Sequence, residues 1–287
     1  MKLCRFQPFE FSAKGLARSD QEVHPEPRGG IIEDHTVWEI SGELWGPRGR
    51  TGRSRLLETV RLLPPSVPSK IVCVGKNYVD HAREMGGPPP KEPILFLKPP
   101  SSISAPEDPV IRPAISNRVD YEGEIAVVIG RRCQLLRPNE DVHPYILGYT
   151  CLNDVTARDL QKLDGQWTRA KSFDTFCPFG PVLETNTPSA DARVETFVNG
   201  VRKQSARVAE LIFSVDVIIR FITQVMTLEP GDLIATGTPA GIGPVVSGDV
   251  MEVSVTGIGT LRNPVIDSAR DPLDGTGVRG GEDRIFS

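Results

Sequence analysis

The sequence predicts an α+β fold in which β-sheet predominates. Short apolar runs bounded by turn-forming residues recur along the chain, and each is long enough for one strand but too short for a helix. The 287 residues include 26 prolines, which disfavour long helices. A doubly wound α/β fold would need strands that alternate regularly with helices, and the pattern lacks this alternation.

The elements of this fold can be assigned in order along the chain. A turn dipeptide, Asn199-Gly200, between two alternating runs predicts a hairpin with a type I′ turn. Ser214 can cap a helix whose apolar side chains would share one face packed in the core, and a shorter helix is predicted from Thr156 to about Leu163. The apolar face of the longer helix consists of Ile218, Ile222, Val225 and Met226. The predicted strands are Ile71–Val74, Ile94–Leu97, Ile125–Ile129, Ile146–Leu152, Leu233–Ala235 and Met251–Val255.

Composition changes along the chain indicate three regions. Residues 1–66 form a small β-rich N-terminal appendage, because short apolar pieces alternate there with turn formers. A proline-rich stretch, Leu63–Pro68, leads into a catalytic domain over residues 67–266. Residues 267–287 are polar and rich in glycine, so we expect a flexible tail that is dispensable for stability and turnover.

Charge and cysteine content restrict the class of protein. The formal net charge is −4, so the basic patch of a nucleic-acid-binding protein is not expected. Five cysteines without a C-x-x-C pair predict reduced thiols in a cytosol rather than a disulfide framework or a thiolate zinc site. The longest apolar helical stretch, Val215–Leu228, contains charged residues and should not cross a membrane. We therefore expect a soluble cytoplasmic protein.

An acidic segment, DYEGEIAVVIG over Asp120–Gly130, suggests a metal site. Residues two apart on a strand point to the same face, so Asp120, Glu122 and Glu124 would line one side. Carboxylates this close repel each other unless a cation lies between them, and a divalent ion would meet that need. Oxygen ligands favour Mg²⁺, Mn²⁺ or Ca²⁺, and Gly123 would leave the metal face open.

A third ligand is available in Asp154, which ends a second apolar run, ILGYTCLND. Residue types alone leave other interpretations open. Asp154 could be the N-cap of a helix, and Glu122 and Glu124 could lie on a solvated strand face. A calcium-binding module without catalytic activity would also accommodate these acids.

Five sequence blocks in order resemble the fumarylacetoacetate hydrolase superfamily. The first two are GKNYVDHAREMG (Gly75–Gly86) and the E-G-E of the acidic segment; the others are GYTCLNDVTARDLQ (Gly148–Gln161), AKSFDTFCPFGP (Ala170–Pro181) and GDLIATGTPAGIGPV (Gly231–Val245). The resemblance implies a β-sandwich roll with a few helices, like the C-terminal domain of that family, and a homodimer. It also implies that Glu122, Glu124 and Asp154 hold one divalent ion, usually Mg²⁺.

The resemblance assigns catalytic roles to three further residues. Lys171 matches a lysine that stabilises the negative charge of an enolate oxygen. His81 and Glu84 match a pair that lies on a lid and activates water in hydrolytic members. Without the resemblance, Lys171 would read as a surface lysine and the His–Glu pair as an ordinary surface pair.

Substrate contacts are the remaining expectation from the resemblance. Arg158 and Gln161 are three residues apart on the helix after Asp154 and could hold the distal part of a substrate. Thr238 could donate a hydrogen bond to the substrate carboxylate, and Asp120 is expected behind the metal ligands or at the rim.

These roles predict a Mg²⁺-dependent hydrolase that cleaves a C–C bond of a small 2-oxo acid, an acylpyruvate or a fumarylacetoacetate-like compound, through an enolate. An isomerase, tautomerase or decarboxylase acting on 2-oxo or 2-hydroxy-diene dioates of aromatic catabolism is the alternative, because the same three carboxylates serve any reaction that passes through a 2-oxo enolate.

Overall fold

A computed structural model describes residues 1–9 and 26–269 and confirms the predicted α+β fold in which β-sheet predominates. Most of the predicted tail, residues 270–287, lies outside the described residues, so its flexibility stays a prediction. No helix in the described ranges is long and apolar enough to span a membrane.

The described residues form twenty strands and four α-helices. The strands of the first half are β1 (Lys2–Pro8), β2 (Arg28–Glu33), β3 (Thr36–Ser41), β4 (Gly49–Leu56), β5 (Val60–Leu63), β6 (Ile71–Gly75), β7 (Ile94–Lys98), β8 (Ile103–Ser104), β9 (Val110–Arg112), β10 (Val119–Tyr121) and β11 (Gly123–Ile129). Those of the second half are β12 (Ile146–Asn153), β13 (Thr156–Ala157), β14 (Cys177–Glu184), β15 (Arg193–Val198), β16 (Val201–Arg207), β17 (Leu233–Ala235), β18 (Gly243–Val245), β19 (Val250–Val255) and β20 (Gly259–Asp267). The helices are α1 (Val79–Glu84), α2 (Arg158–Asp164), α3 (Thr168–Lys171) and α4 (Val215–Val225).

The strands form one large sheet and two small ones. The large sheet has twelve strands, ten of them in the order β4-β3-β2-β1-β14-β12-β11-β17-β6-β7, with β5 paired to β1 and β8 paired to β14. The small sheets have the orders β13-β10-β18 and β16-β15-β19-β20-β9. The two strands that make up the acidic segment, β10 and β11, therefore belong to different sheets.

The N-terminal strands continue the large sheet. Strand β1 pairs antiparallel with β14 through Lys2 and Leu3, and the N-terminal ammonium lies 2.7 Å from the Glu184 carboxylate. Leu3, from β1, and Phe179, from β14, belong to one buried apolar cluster. The N-terminal region and the region after residue 67 thus share hydrogen bonds and a core.

The main core lies between the large sheet and the five-stranded sheet, with helix α4 packed against it. Val127 of β11 and Val253 of β19 belong to this cluster, together with Ile218 and Ile222 of α4. Their apolar surface is removed from water on both sides, which is the main source of stability for such a layered arrangement.

Local predictions around this core are largely confirmed. Asn199 and Gly200 both have positive φ, as a type I′ turn requires, and they join β15 to β16. The Ser214 hydroxyl caps α4 by accepting a hydrogen bond from the Val217 backbone N–H at 3.4 Å. One face assignment was wrong, because Val225 is 64% exposed.

The helix predicted from Thr156 begins later than expected. Thr156 and Ala157 form strand β13, which pairs with β10, and helix α2 begins at Arg158. The pairing of Asp120 with Thr156 holds this segment extended and delays the helix by two residues.

All five cysteines are buried and free, as the sequence predicts. Burial raises the pKa of Cys151 and of Cys177 to about 12, so neither thiol forms a reactive thiolate near neutral pH. We expect five thiols to titrate in protein denatured without reductant, and slow reaction of the native protein. Fewer than five, with a disulfide found by mass spectrometry, would contradict this.

Gly123 is required for packing between two sheets. The prediction that it leaves the metal face open was wrong. A Cβ on Gly123 would lie 2.0 Å from the Thr196 hydroxyl oxygen of β15. The missing side chain therefore faces the five-stranded sheet, opposite to the side chains of its two neighbours.

Gly123→Ala should consequently lower the free energy of unfolding by about 1–3 kcal/mol, the usual cost of an overpacked core. Urea denaturation would measure the loss. Gly46→Ala is the matched control, because its Cβ would approach other atoms no closer than 3.8 Å. Equal stability of the two variants would show that the sheets can separate without cost.

Candidate active site

The acidic segment bridges two sheets. The prediction that it forms one continuous strand was wrong. Strand β10 ends at Tyr121 and β11 begins at Gly123, so Glu122 lies at the break. The Asn153 side chain accepts a hydrogen bond from the Glu122 N–H at 2.8 Å, and the Glu122 carbonyl accepts one from the Asp154 N–H at 2.8 Å. This pairing brings Asp154, at the end of β12, beside Glu122.

Three carboxylates converge at this break. Glu122, Glu124 and Asp154 each offer one oxygen, and these oxygens all lie within 4.8 Å of one another. All three residues are buried, with 4%, 2% and 1% exposure, so the solvated-face interpretation was wrong. The N-cap interpretation was also wrong, because the residue that caps α2 is Ala157 and not Asp154.

Two buried lysines and an arginine accompany these carboxylates and offset their mutual repulsion. The Lys171 ammonium donates to Glu122 at 2.8 Å and to Asp154 at 2.6 Å. Lys98 donates to the other Asp154 oxygen at 2.6 Å, and Arg158 forms an ion pair with Glu122. Charge repulsion alone therefore does not require a metal ion here.

Glu124 is the member of the triad that has no cationic partner in the described residues. Its carboxylate accepts one hydrogen bond, from the Gly237 N–H at 2.7 Å. Burial and the nearby charges of Asp154 and Glu122 raise the pKa of Glu124 well above its ordinary value. For Glu122, burial would also raise the pKa, but the charges of Lys171 and Arg158 outweigh burial and lower it.

These residues fit a divalent metal ion. The donors are oxygens from three carboxylates, the set that Mg²⁺, Mn²⁺ and Ca²⁺ prefer. One oxygen of Glu124 has no hydrogen bond among the described residues, and a buried carboxylate without a cation is costly. The argument for a metal ion rests on Glu124 and on this donor set.

His81 and Glu84 lie together on α1, as the resemblance implies. The His81 Nδ1 is 3.0 Å from a Glu84 carboxylate oxygen, and His81 is only 5% exposed. The other Glu84 oxygen accepts a hydrogen bond from the Gly241 N–H at 3.0 Å. Helix α1 is thus fastened to the loop after β17 with the imidazole at the pocket wall.

Arg158 and Gln161 both line the pocket, but the guanidinium is already engaged. Its Nε donates to Asp120 at 2.9 Å and its Nη1 to Gln161 at 2.6 Å, while Nη2 contacts Glu122. A substrate contact would have to use the N–H groups that remain. Asp120 is completely buried behind Arg158, so it lies behind the metal ligands and not at the rim.

Thr238 lines the same pocket and also has protein partners. Its hydroxyl donates to the Gly123 carbonyl at 3.0 Å and accepts from the Gln204 amide at 2.8 Å. A hydroxyl has a single proton to donate. The predicted donation to a substrate carboxylate would therefore require the Gly123 bond to break.

The pocket has one apolar wall. Trp167 meets Phe96 edge to face, with ring centroids 5.1 Å apart, and lies directly over Gly75. Met85, just after α1, also lines the cavity. Such a wall surrounds a small substrate and limits the access of water.

Lys98 and Lys76 are the charged residues of this region that the sequence analysis missed. Lys98 ends the apolar run of β7 and is 1% exposed. A lysine at the end of an apolar run is a weak but usable signal, because such a lysine can be buried and a buried ammonium needs a carboxylate partner. Lys76 lies in the same sequence block as His81 and lines the pocket.

Comparison with known proteins identifies the family. Residues 70–266 match the family described as fumarylacetoacetate (FAA) hydrolase C-terminal, and residues 1–65 match the family described as Rv2993c-like, N-terminal. The chain belongs to the fumarylacetoacetate hydrolase family. The suspected superfamily is thereby confirmed.

Some relatives in this family are named after a reaction, whereas the names of others give no reaction. Protein Rv2993c of Mycobacterium tuberculosis is 51% identical over 83% of this chain and 90% of its own length. Oxaloacetate tautomerase fahd2, mitochondrial, of Xenopus laevis is 42% identical over 71% of this chain and 68% of its own length.

Solved structures show the same diversity. A 2-hydroxyhepta-2,4-diene-1,7-dioate isomerase from Mycobacterium marinum is 43% identical, with a TM-score of 0.80 over 94% of this chain and 100% of that one. A fumarylacetoacetate hydrolase from Exiguobacterium antarcticum is 39% identical, with a TM-score of 0.75 over 93% of this chain and 100% of that one. A maleylpyruvate hydrolase from Sphingobium sp. SYK-6, in complex with manganese(II) and pyruvate, is 28% identical, with a TM-score of 0.73 over 93% of this chain and 99% of that one. The family therefore includes proteins named as tautomerases, isomerases and hydrolases, and the maleylpyruvate hydrolase among them holds a manganese ion.

Proposed function

We propose that the chain is a metal-dependent enzyme that interconverts the keto and enol forms of a small 2-oxo acid. The observation that carries this proposal is one pocket that holds a histidine base, three carboxylates and the Lys171 ammonium. Relatives named as tautomerases and isomerases, at 42% and 43% identity, support proton transfer without C–C cleavage.

His81 is the proposed base. A carboxylate can only accept, so the contact with Glu84 places the imidazole proton on Nδ1 and leaves the Nε2 lone pair free. Nε2 would take a proton from the carbon next to the keto group, and the C–H electron pair would move toward the keto oxygen. The same proton would then return to that oxygen to give the enol.

Lys171 would stabilise the negative charge that develops on the oxygen during this transfer. Two of its three N–H donors contact Glu122 and Asp154, and the third remains for the substrate oxygen. A divalent ion, for which we propose Mg²⁺, would be held by Glu122, Glu124 and Asp154 and would supply Lewis-acid stabilisation of the same charge. The apolar wall with Phe96 would strengthen these interactions by excluding water.

Hydrolysis of a C–C bond is the second candidate, and similarity to a fumarylacetoacetate hydrolase at 39% identity favours it. In that reaction the Nε2 of His81 would take its proton from a water molecule, which attacks the distal carbonyl carbon. The bond between that carbon and its neighbour would break, leaving an enolate of the same kind.

A substrate panel separates the two candidates. Purified protein with Mg²⁺ would be given the enol of oxaloacetate, acetylpyruvate and a 2-hydroxy-diene dioate, with enol absorbance, pyruvate and CO₂ followed separately. We expect enol absorbance to change at a catalysed rate without release of pyruvate. Release of pyruvate and acetate in equal amounts from acetylpyruvate would refute the tautomerase proposal and support the hydrolase.

A further inference from the structure

One cation of the pocket has no anionic partner. Lys76 lines the cavity directly after β6 and is half-buried, yet it forms no ion pair or side-chain hydrogen bond in the described part of the chain. The other lining cations, Lys171 and Arg158, each contact two carboxylates. A pocket-lining lysine without a counter-charge is available to an anionic ligand.

The backbone holds Lys76 firmly in this place. Its φ of +57° lies in the left-handed region, which is unusual for a residue with a side chain. The next residue, Asn77, is buried and bonds through its side chain to the backbone of Phe213 and Thr236 at 2.7–3.0 Å. On the other side, Gly75 lies beneath Trp167. Strain at a position fixed on both sides is typical of residues that contact a ligand.

The Lys76 ammonium extends toward the loop that follows α1. Its Nζ lies 3.7 Å from the position that a Cβ on Gly87 would occupy. The triad carboxylates have contacts with Lys171, Lys98, Arg158 and Gly237 but none with Lys76. Lys76 therefore offers a positive charge separate from the cluster that would hold the 2-oxo end of a substrate.

Charge balance also favours a second negative group on the substrate. Glu122, Asp154 and Asp120 form ion pairs with four cations, Lys98, Lys171, Arg158 and Arg118. Glu124 has no cationic partner among the described residues, so four positive charges face four negative ones. A divalent ion would add two positive charges and Lys76 a third. A substrate with two carboxylates would offset two of these three charges, whereas a substrate with one carboxylate would offset only one and leave Lys76 unpaired.

We propose that Lys76 binds the distal carboxylate of the substrate and thereby makes the enzyme selective for 2-oxo dicarboxylic acids. This assignment rests on the proposed function, because the 2-oxo end is taken to lie at the carboxylate triad. Lys76 is a specificity-determining residue in this proposal and takes no part in the proton transfer.

The test compares Lys76→Met with wild type on two substrates that enolise alike, oxaloacetate and its 4-methyl ester. We expect the KM for oxaloacetate to rise about 10- to 100-fold with kcat nearly unchanged, the usual range for losing a hydrogen bond to a charged group. The KM for the ester should stay within about twofold. Lys76→Arg should restore most of the preference for the dicarboxylate.

A matched control and a binding measurement keep the outcomes separate. Lys91→Met removes an exposed lysine from the loop between α1 and β7, which the Lys76 ammonium approaches, and should change neither KM. Calorimetric titration with malate and its 4-methyl ester, which do not enolise, tests Lys76 without turnover. Wild type that discriminates malate from its ester but turns over no substrate would refute the proposed function alone. Equal losses on both oxaloacetate compounds, or unchanged discrimination in Lys76→Met, would refute the role of Lys76.

Discussion

Glu124→Gln is expected to abolish metal-dependent activity while leaving the metal-free protein at least as stable as wild type. The amide keeps an acceptor for the Gly237 N–H but removes a buried negative charge that has no cationic partner in residues 1–9 and 26–269. Metal affinity should fall by more than about 100-fold, since even residues behind the ligands change it by about 10- to 100-fold. Thermal unfolding with and without Mg²⁺ or Mn²⁺ measures this, because metal at about 100 times its Kd stabilises by about 2.7 kcal/mol.

Glu124 is the position that tests metal binding without breaking an ion pair, because Glu122 and Asp154 also neutralise buried lysines. The pKa of Glu124 is raised by burial and by its neighbours, so without metal its proton stabilises the folded protein at low pH. That stabilisation is lost as the pH rises through the raised pKa, and Glu124→Gln should not show this loss. A metal-dependent rise in melting temperature that persists in Glu124→Gln would show that the ion binds elsewhere.

His81→Ala should lose about 10²–10⁴-fold in kcat, the usual contribution of a general base. The imidazole at the pocket wall is held by the Glu84 carboxylate and forms no hydrogen bond with the triad among the described residues. The metal-dependent rise in melting temperature should therefore survive the substitution. Glu84→Gln should lose less, because Glu84 only orients the imidazole and fixes its tautomer.

His143→Ala is the matched control for this experiment. His143 also pairs through Nδ1 with a carboxylate, that of Asp141 at 2.8 Å, but both side chains are exposed and outside the pocket. Its removal should leave kcat unchanged. Full activity in His81→Ala would eliminate the proposed base, whichever of the two reactions the enzyme catalyses.

Sequence patterns predicted the ligands of the site better than their surroundings. The alternation of Glu122 and Glu124 and the position of Asp154 at a strand end are local features, so they could be recognised without the fold. Lys98 could not be placed beside Asp154, because strand pairing brings together residues 56 positions apart. The break between β10 and β11 was missed for a similar reason, since both segments are extended and only their partners differ.

Packing distances set the other limit of prediction. Gly123 was read as an opening toward the metal because its neighbours carry the carboxylates, whereas Thr196 of another sheet fills the space above it. The sequence pattern of one segment does not predict which side chains of another sheet pack against it. The positive φ of Lys76, and its lack of an anionic partner among the described residues, are likewise visible only in three dimensions.

The joining of β1 to β14 has a consequence for how the chain can be divided. Removing the N-terminal strands would uncover the outer edge of β14, with backbone N–H and C=O groups left without partners around Leu183 and Glu184. It would also expose the apolar side chains that Leu3 covers. An uncovered sheet edge beside an apolar surface is a template for pairing between molecules. A truncated catalytic fragment would therefore tend to self-associate, and strand β1 serves as the cover of this sheet edge.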